Sequence, residues 1–85
     1  FMLKAVGDSM SDAGIKHDDM VLIRKQQTAE NGDIVAAFLD NTITVKTYYL
    51  EDGYVRLQPE SKLFDPIITD GVTLIGKVIG LFRLM

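Results

Sequence analysis

The sequence predicts a mainly β domain with short strands and at most one helical turn, and three observations carry that prediction. Short apolar runs recur between turn signals at intervals of roughly 8 to 12 residues. No segment combines the length and the 3.6-residue period of an amphipathic helix. Apolar residues make up 47% of the 85, enough for one modest core in a single small domain, residues 1–85.

Phe1 to Val6 is mostly apolar and ends at Gly7, so it reads as a strand running into a turn that carries Ser9. Ser11-Asp12-Ala13-Gly14 reads as one helical turn, capped at its start and stopped by Gly14. Lys16-His17-Asp18-Asp19 is a polar turn leading to the strand Met20 to Ile23. Asn31-Gly32 is a strong turn signal ahead of the apolar run Ile34 to Leu39. Asp40-Asn41 connects that run to Thr42–Tyr49, and Glu51-Asp52-Gly53 connects the next pair, ending in Tyr54–Gln58. Pro59 and Pro66 bracket an irregular stretch, because proline cannot continue a central strand. Val72 to Met85 is a final apolar run broken by Gly76, Lys77, Gly80 and Arg83.

Composition excludes several classes of function. The net charge is −3 and no basic run is present, so this stretch alone is not expected to bind nucleic acid, whose affinity comes mostly from neutralised phosphates. No apolar stretch approaches the roughly 20 residues of a membrane span. The chain contains no cysteine, which removes disulfides and thiolate ligands and suits a reducing, cytoplasmic setting. No signal peptide is visible, and Phe1 already lies inside a strand, so the expectation is a segment of a longer protein.

The chemistry rests on Ser9 and Lys46. A serine hydroxyl is a weak nucleophile until a neighbouring base takes its proton. A lysine serves as that base only when neutral, and burial lowers its pKa by disfavouring the charged form. In the strand around position 46, alternation places Ile43 and Val45 on one face and Thr42, Thr44, Lys46 and Tyr48 on the other. Thr44 then stands where its hydroxyl can hold the amine. Taken alone, Lys46 also fits a solvent-facing position on an amphipathic strand, which is the commoner fate of lysine. Gly-x-Ser is equally common in turns. Their joint occurrence in a β-rich chain points to a serine hydrolase that needs no metal and no cofactor.

His17, the only histidine, reads as a solvated turn residue and not as a third catalytic member. Asp8 is expected to turn its carboxylate to water, and Met10 to fill the core or the cleft wall. Tyr48, Tyr49 and Tyr54 read as ordinary strand aromatics.

Five blocks occur in a telling order: Val6-Gly7-Asp8-Ser9-Met10, Asn31-Gly32-Asp33-Ile34-Val35, Thr44-Val45-Lys46, Leu57-Gln58-Pro59-Glu60, and Ile75 to Arg83. Together they resemble the C-terminal domain of the LexA family of self-cleaving repressors, which includes UmuD and the cleavable phage repressors. The resemblance covers nearly the whole chain. It implies a small β-domain of the LexA and signal-peptidase kind, in which Ser9 is the nucleophile and Lys46 the base. The N–H groups of Asp8 and Ser9 would form the oxyanion hole.

The resemblance further implies a serine endopeptidase that cuts an Ala-Gly bond of its own chain when promoted by RecA filaments on single-stranded DNA. Cleavage would inactivate an SOS repressor whose operator contacts lie in a separate DNA-binding domain. A UmuD-like polymerase accessory, a phage repressor and a catalytically silent dimerisation domain are the alternatives. Ala13-Gly14, the only Ala-Gly pair here, lies four residues after Ser9 in a tight turn and is not expected to reach the site. Asp18 stands where many relatives carry glycine, in a turn that Asp tolerates. The signal peptidases share the Ser-Lys logic but carry a membrane anchor and insertions not seen here.

The run Val72 to Met85 is apolar on both faces, so it reads either as a central buried strand or as an edge covered by a partner. The resemblance favours a homodimer through this region, with Ile79 and Phe82 in the interface.

Overall fold

Turn residues divide the described residues into seven strands: β1 (Met2–Lys4), β2 (Met20–Lys25), β3 (Ile34–Leu39), β4 (Thr42–Glu51), β5 (Tyr54–Gln58), β6 (Ile67–Thr69) and β7 (Thr73–Phe82). These come from a computed structural model that describes residues 1–84, so Met85, the end of the expected C-terminal run, lies outside the described residues. The fold is mainly β, with one antiparallel sheet in the order β1-β2-β7-β3-β4-β5-β6. Asp40 and Asn41 both have left-handed φ, 51° and 64°, the geometry that matches a two-residue hairpin to strand twist. Gly53, at φ 78°, does the same work between β4 and β5.

Two connections differ from a simple meander. Asn31-Gly32 does turn the chain, but it closes no β2–β3 hairpin, because β7 lies between those strands. The turn is fastened to β4 instead: Gly32 N–H donates to the Tyr48 carbonyl at 2.8 Å, and Asn31 Oδ1 accepts the Leu50 N–H at 2.7 Å. The Pro59–Pro66 stretch is irregular, as expected, yet the three residues after it form β6 against β5, an element too short to show in the sequence.

β7 turns out to be an interior strand. Its register skips one residue twice: Ile75 is extra between Ala36↔Gly76 and Ala37↔Leu74, and Ile79 is extra between Leu22↔Gly80 and Ile23↔Val78. Each bulge bends the strand and resets its alternation, which explains why β7 carries apolar residues without a period of two. Gly76 sits buried between the bulges, where an added Cβ would run into the Arg24 carbonyl oxygen.

The curled sheet buries both faces of its middle. Met10, Ile15, Val21, Ile23 and Ala36 form one cluster, while Val35, Ala37, Val55 and Leu57 form the other. β3 feeds both, so its continuous apolar run is what a strand covered on each face requires. Every buried side-chain nitrogen and oxygen among the described residues has a hydrogen-bond partner. Among the described residues no helix is long and apolar enough to cross a membrane.

Candidate active site

Ser9 reaches its position through a turn anchored at both ends. Beyond β1, Ala5 N–H donates to the Asp19 carbonyl and Asp18 N–H to the Ala5 carbonyl, each at 2.8 Å, which prolongs the β1–β2 pairing. The chain then reverses at Gly7, whose φ is +83°. A Cβ built there meets nothing within 4 Å, so glycine supplies the left-handed twist and not a close approach of backbone. After Ser9 comes the 3₁₀ turn Ser11–Ala13, ended by Gly14 at φ 85° with its N–H on the Ser11 carbonyl. Met10 occupies the cap position, and no side chain caps the turn, so Ser11 does not play that part. Met10 and Ile15, both buried in the first cluster, pin the loop to the core.

Lys46 arrives from β4, opposite Val35 in the ladder. Its Nζ lies 3.0 Å from Ser9 Oγ, 2.6 Å from Thr44 Oγ1 and 3.2 Å from the Val45 carbonyl oxygen. The expected alternation holds: Val45 packs on the first cluster and Tyr48, from the other face, on the second. A charged ammonium would donate to all three oxygens. A neutral amine has two N–H groups, which suffice for Thr44 and Val45, and it keeps a lone pair for the Ser9 hydroxyl proton. Loss of solvent around the half-buried amine pushes the Lys46 pKa below the ordinary lysine value. Among the described residues no carboxylate pairs with Lys46 to hold its charge.

A cavity of about 140 Å³ opens between β1, the Ser9 turn and β4, walled by Leu3, Ala5, Met10, Ile15 and Val45 with Ser9 and Lys46 at its edge. The Asp8 and Ser9 N–H groups have no acceptor among the described residues. Asp8 itself is exposed. Chemically, the arrangement offers a hydroxyl beside an amine, with free backbone donors next to an apolar recess.

Several residues have roles the sequence did not announce. Asp19 is 3% exposed and receives the Arg83 Nε and Nη2 donors, each at 2.7 Å, together with the Lys16 N–H. Those bonds, Arg83 first, lower its pKa to about 2. Arg83 also donates to the Gly14 carbonyl, so the end of the chain clamps the loop after Ser9. Glu60 fastens the same loop from the other side: its carbonyl accepts the Asp12 N–H and its carboxylate the hydroxyl of buried Thr47. His17 is exposed but not merely solvated, since its Nδ1 accepts the Gly7 N–H at 2.9 Å. Asp18 takes the left-handed φ of 73° expected for a position suited to glycine. Ile79 and Phe82 lie outside this site, 46% and 53% exposed on β7.

Comparison with known proteins gives a consistent picture. Residues 1–79 match the family described as Peptidase S24-like. The chain is 54% identical to the LexA repressor of Acetivibrio thermocellus, an alignment covering 100% of the chain and 40% of that protein. It is 51% identical to the LexA repressor of Caldicellulosiruptor saccharolyticus, covering 100% and 42% respectively. The LexA repressor of Bacillus velezensis is 54% identical, with 98% of the chain and 41% of that protein aligned. The chain therefore spans about two fifths of the length of these relatives.

Proposed function

The chain belongs to the Peptidase S24-like family, and from that premise we propose that it is the self-cleaving serine endopeptidase part of a LexA-type repressor. The observation that carries this reading is the 3.0 Å approach of Lys46 Nζ to Ser9 Oγ, with Thr44 and Val45 occupying the other N–H groups of the amine. The lowered pKa of Lys46 supports a base role, because a neutral amine is what the reaction needs.

In the proposed mechanism neutral Lys46 takes the Ser9 hydroxyl proton as Oγ bonds to the carbonyl carbon of the scissile peptide. The oxyanion that develops is held by the N–H groups of Asp8 and Ser9, which have no other acceptor among the described residues. Collapse breaks the C–N bond, and the Lys46 ammonium returns its proton to the leaving amine. Water then attacks the acyl ester while Lys46 takes its proton. As the C–Oγ bond breaks, the Lys46 ammonium passes that proton to Ser9 Oγ, releasing the carboxyl product and restoring the Ser9 hydroxyl and the neutral amine. The apolar recess beside Ser9 suits a short apolar side chain at the bond to be cut. Promotion by RecA filaments on single-stranded DNA, operator binding through a separate domain and derepression of DNA-damage genes are parts of the same proposal.

The test uses the full-length protein at alkaline pH. Ser9→Ala and Lys46→Ala should each abolish self-cleavage, a loss of more than about 1,000-fold for residues acting as a unit. Cleavage by either variant at the normal rate would overturn the assignment and leave a catalytically silent domain as the reading.

A further inference from the structure

The Ser9 turn has a second side-chain contact besides Lys46. Gly7, two residues before Ser9, donates its N–H to His17 Nδ1 at 2.9 Å. Among the described residues no other side chain bonds to Gly7 or Asp8. Nδ1 accepts only when it carries no proton, so the bond requires a neutral imidazole protonated at Nε2. Nε2 lies 3.4 Å from Asp18 Oδ1, a carboxylate whose negative charge favours a proton on that nitrogen. The backbone turn at Asp18, φ 73°, brings this carboxylate to the imidazole.

We propose that His17 is a positioning residue for the nucleophile turn: its neutral imidazole latches Gly7 and thereby sets the direction of the Asp8 and Ser9 N–H groups. The proposal rests on the reading of Ser9 as nucleophile and adds a proton-sensitive control to it. When His17 takes a second proton, Nδ1 becomes a donor facing a donor, and the Gly7 N–H loses its acceptor. Among the described residues, the hydrogen bond then left to the segment 6–8 is that of Ser11 N–H to the Asp8 carbonyl at 3.2 Å. The charged groups facing His17 are Asp18 and, lining the same cleft, Lys4 of β1, Lys16 of the same turn and Arg83 beyond β7. Asp19, also in that cleft, is already committed to Arg83 and the Lys16 N–H.

The latch is read directly by following the Gly7 amide and the His17 ring by NMR in the full chain, from about pH 8 to about pH 5, the range in which histidine switches. The Gly7 amide should shift with the same midpoint as the ring. In His17→Asn, whose Oδ1 replaces Nδ1 without titrating, that step should vanish while the hydrogen-bonded shift persists. In self-cleavage, the wild type should lose rate on acidification by an extra factor of about ten per pH unit below the His17 midpoint, one further proton being bound. The Asn variant should show only the fall due to Lys46. His17→Ala should be slower at every pH, by up to about 100-fold for a misplaced turn. A Gly7 amide indifferent to His17 titration would overturn the proposal, as would an Ala variant with the wild-type rate and profile. Self-cleavage surviving in Ser9→Ala would instead sink the underlying nucleophile assignment, whatever Gly7 does.

Discussion

At the scale of residues, Lys46 holds stability and function in opposition. Its ammonium is half desolvated and faces only neutral oxygens, so the folded state disfavours its charge. The folded pKa lies below the unfolded one, so between the two values the unfolded chain binds more protons and stability rises with pH. Lys46→Met should therefore stabilise the protein near neutral pH, by about 1 kcal/mol, while leaving it inactive. That gain should shrink as pH climbs toward the ordinary lysine value of about 10.4. Urea denaturation at several pH values measures both, and a Met variant less stable than wild type at neutral pH would mean that the bonds to the amine outweigh its desolvation. The pairing behind this prediction was legible in the sequence, because strand alternation fixes which side chains share a face with Lys46. Asp19 and His17 were not. Asp19 is buried by Arg83, 64 positions away along the chain, and the bond to His17 comes from a backbone amide with no sequence signature.

At the scale of elements, turns were readable and bulges were not. Asp40-Asn41 and Gly53 mark their hairpins because their φ values require residues that tolerate the left-handed region. β7 defeated the same reading, since extra residues at Ile75 and Ile79 shift its alternation twice, and only the register with β2 and β3 reveals them. Gly76 is what permits the strand to lie so close to β2. A methyl group there would collide with the Arg24 carbonyl and with Ile23 Cγ2 at 2.6 Å, and the backbone cannot move aside as a flexible side-chain tip would. Gly76→Ala should cost about 3 kcal/mol, at the upper end for overpacking. Gly71, exposed and with nothing within 4 Å of an added Cβ, is the control. Gly71→Ala should stay within about 0.5 kcal/mol. Equal effects of the two in thermal or urea unfolding would show that β7 shifts to accommodate the methyl and that the close approach is not what demands glycine.

At the scale of the whole molecule, the radius of gyration of 12.0 Å is that of a compact chain of this length, about 12 Å. The sheet nevertheless leaves apolar surface at one end. The register aligns Met2, Leu22 and Gly80 in one row and Lys4, Met20 and Phe82 in the next, all pointing to the face away from Val21 and Leu3. Met2 is 45% exposed, Leu22 38% and Phe82 53%, and the bulged Ile79 beside them is 46% exposed. Gly80 keeps this patch low, its missing side chain leaving room for Leu22 at ordinary contact distance. The expectation of a buried strand is thus met by the middle of β7, while its C-terminal half is exposed. We propose that a second copy covers these exposed apolar side chains, the same surface meeting itself across a two-fold axis. Phe82→Glu or Ile79→Lys should shift the protein toward monomer with strand content intact, because neither side chain belongs to the buried clusters. Sedimentation paired with circular dichroism checks this. A wild type that remains monomeric at tens of micromolar would remove the dimer, and a charged variant that loses its strands together with its partner would place these side chains in the fold itself.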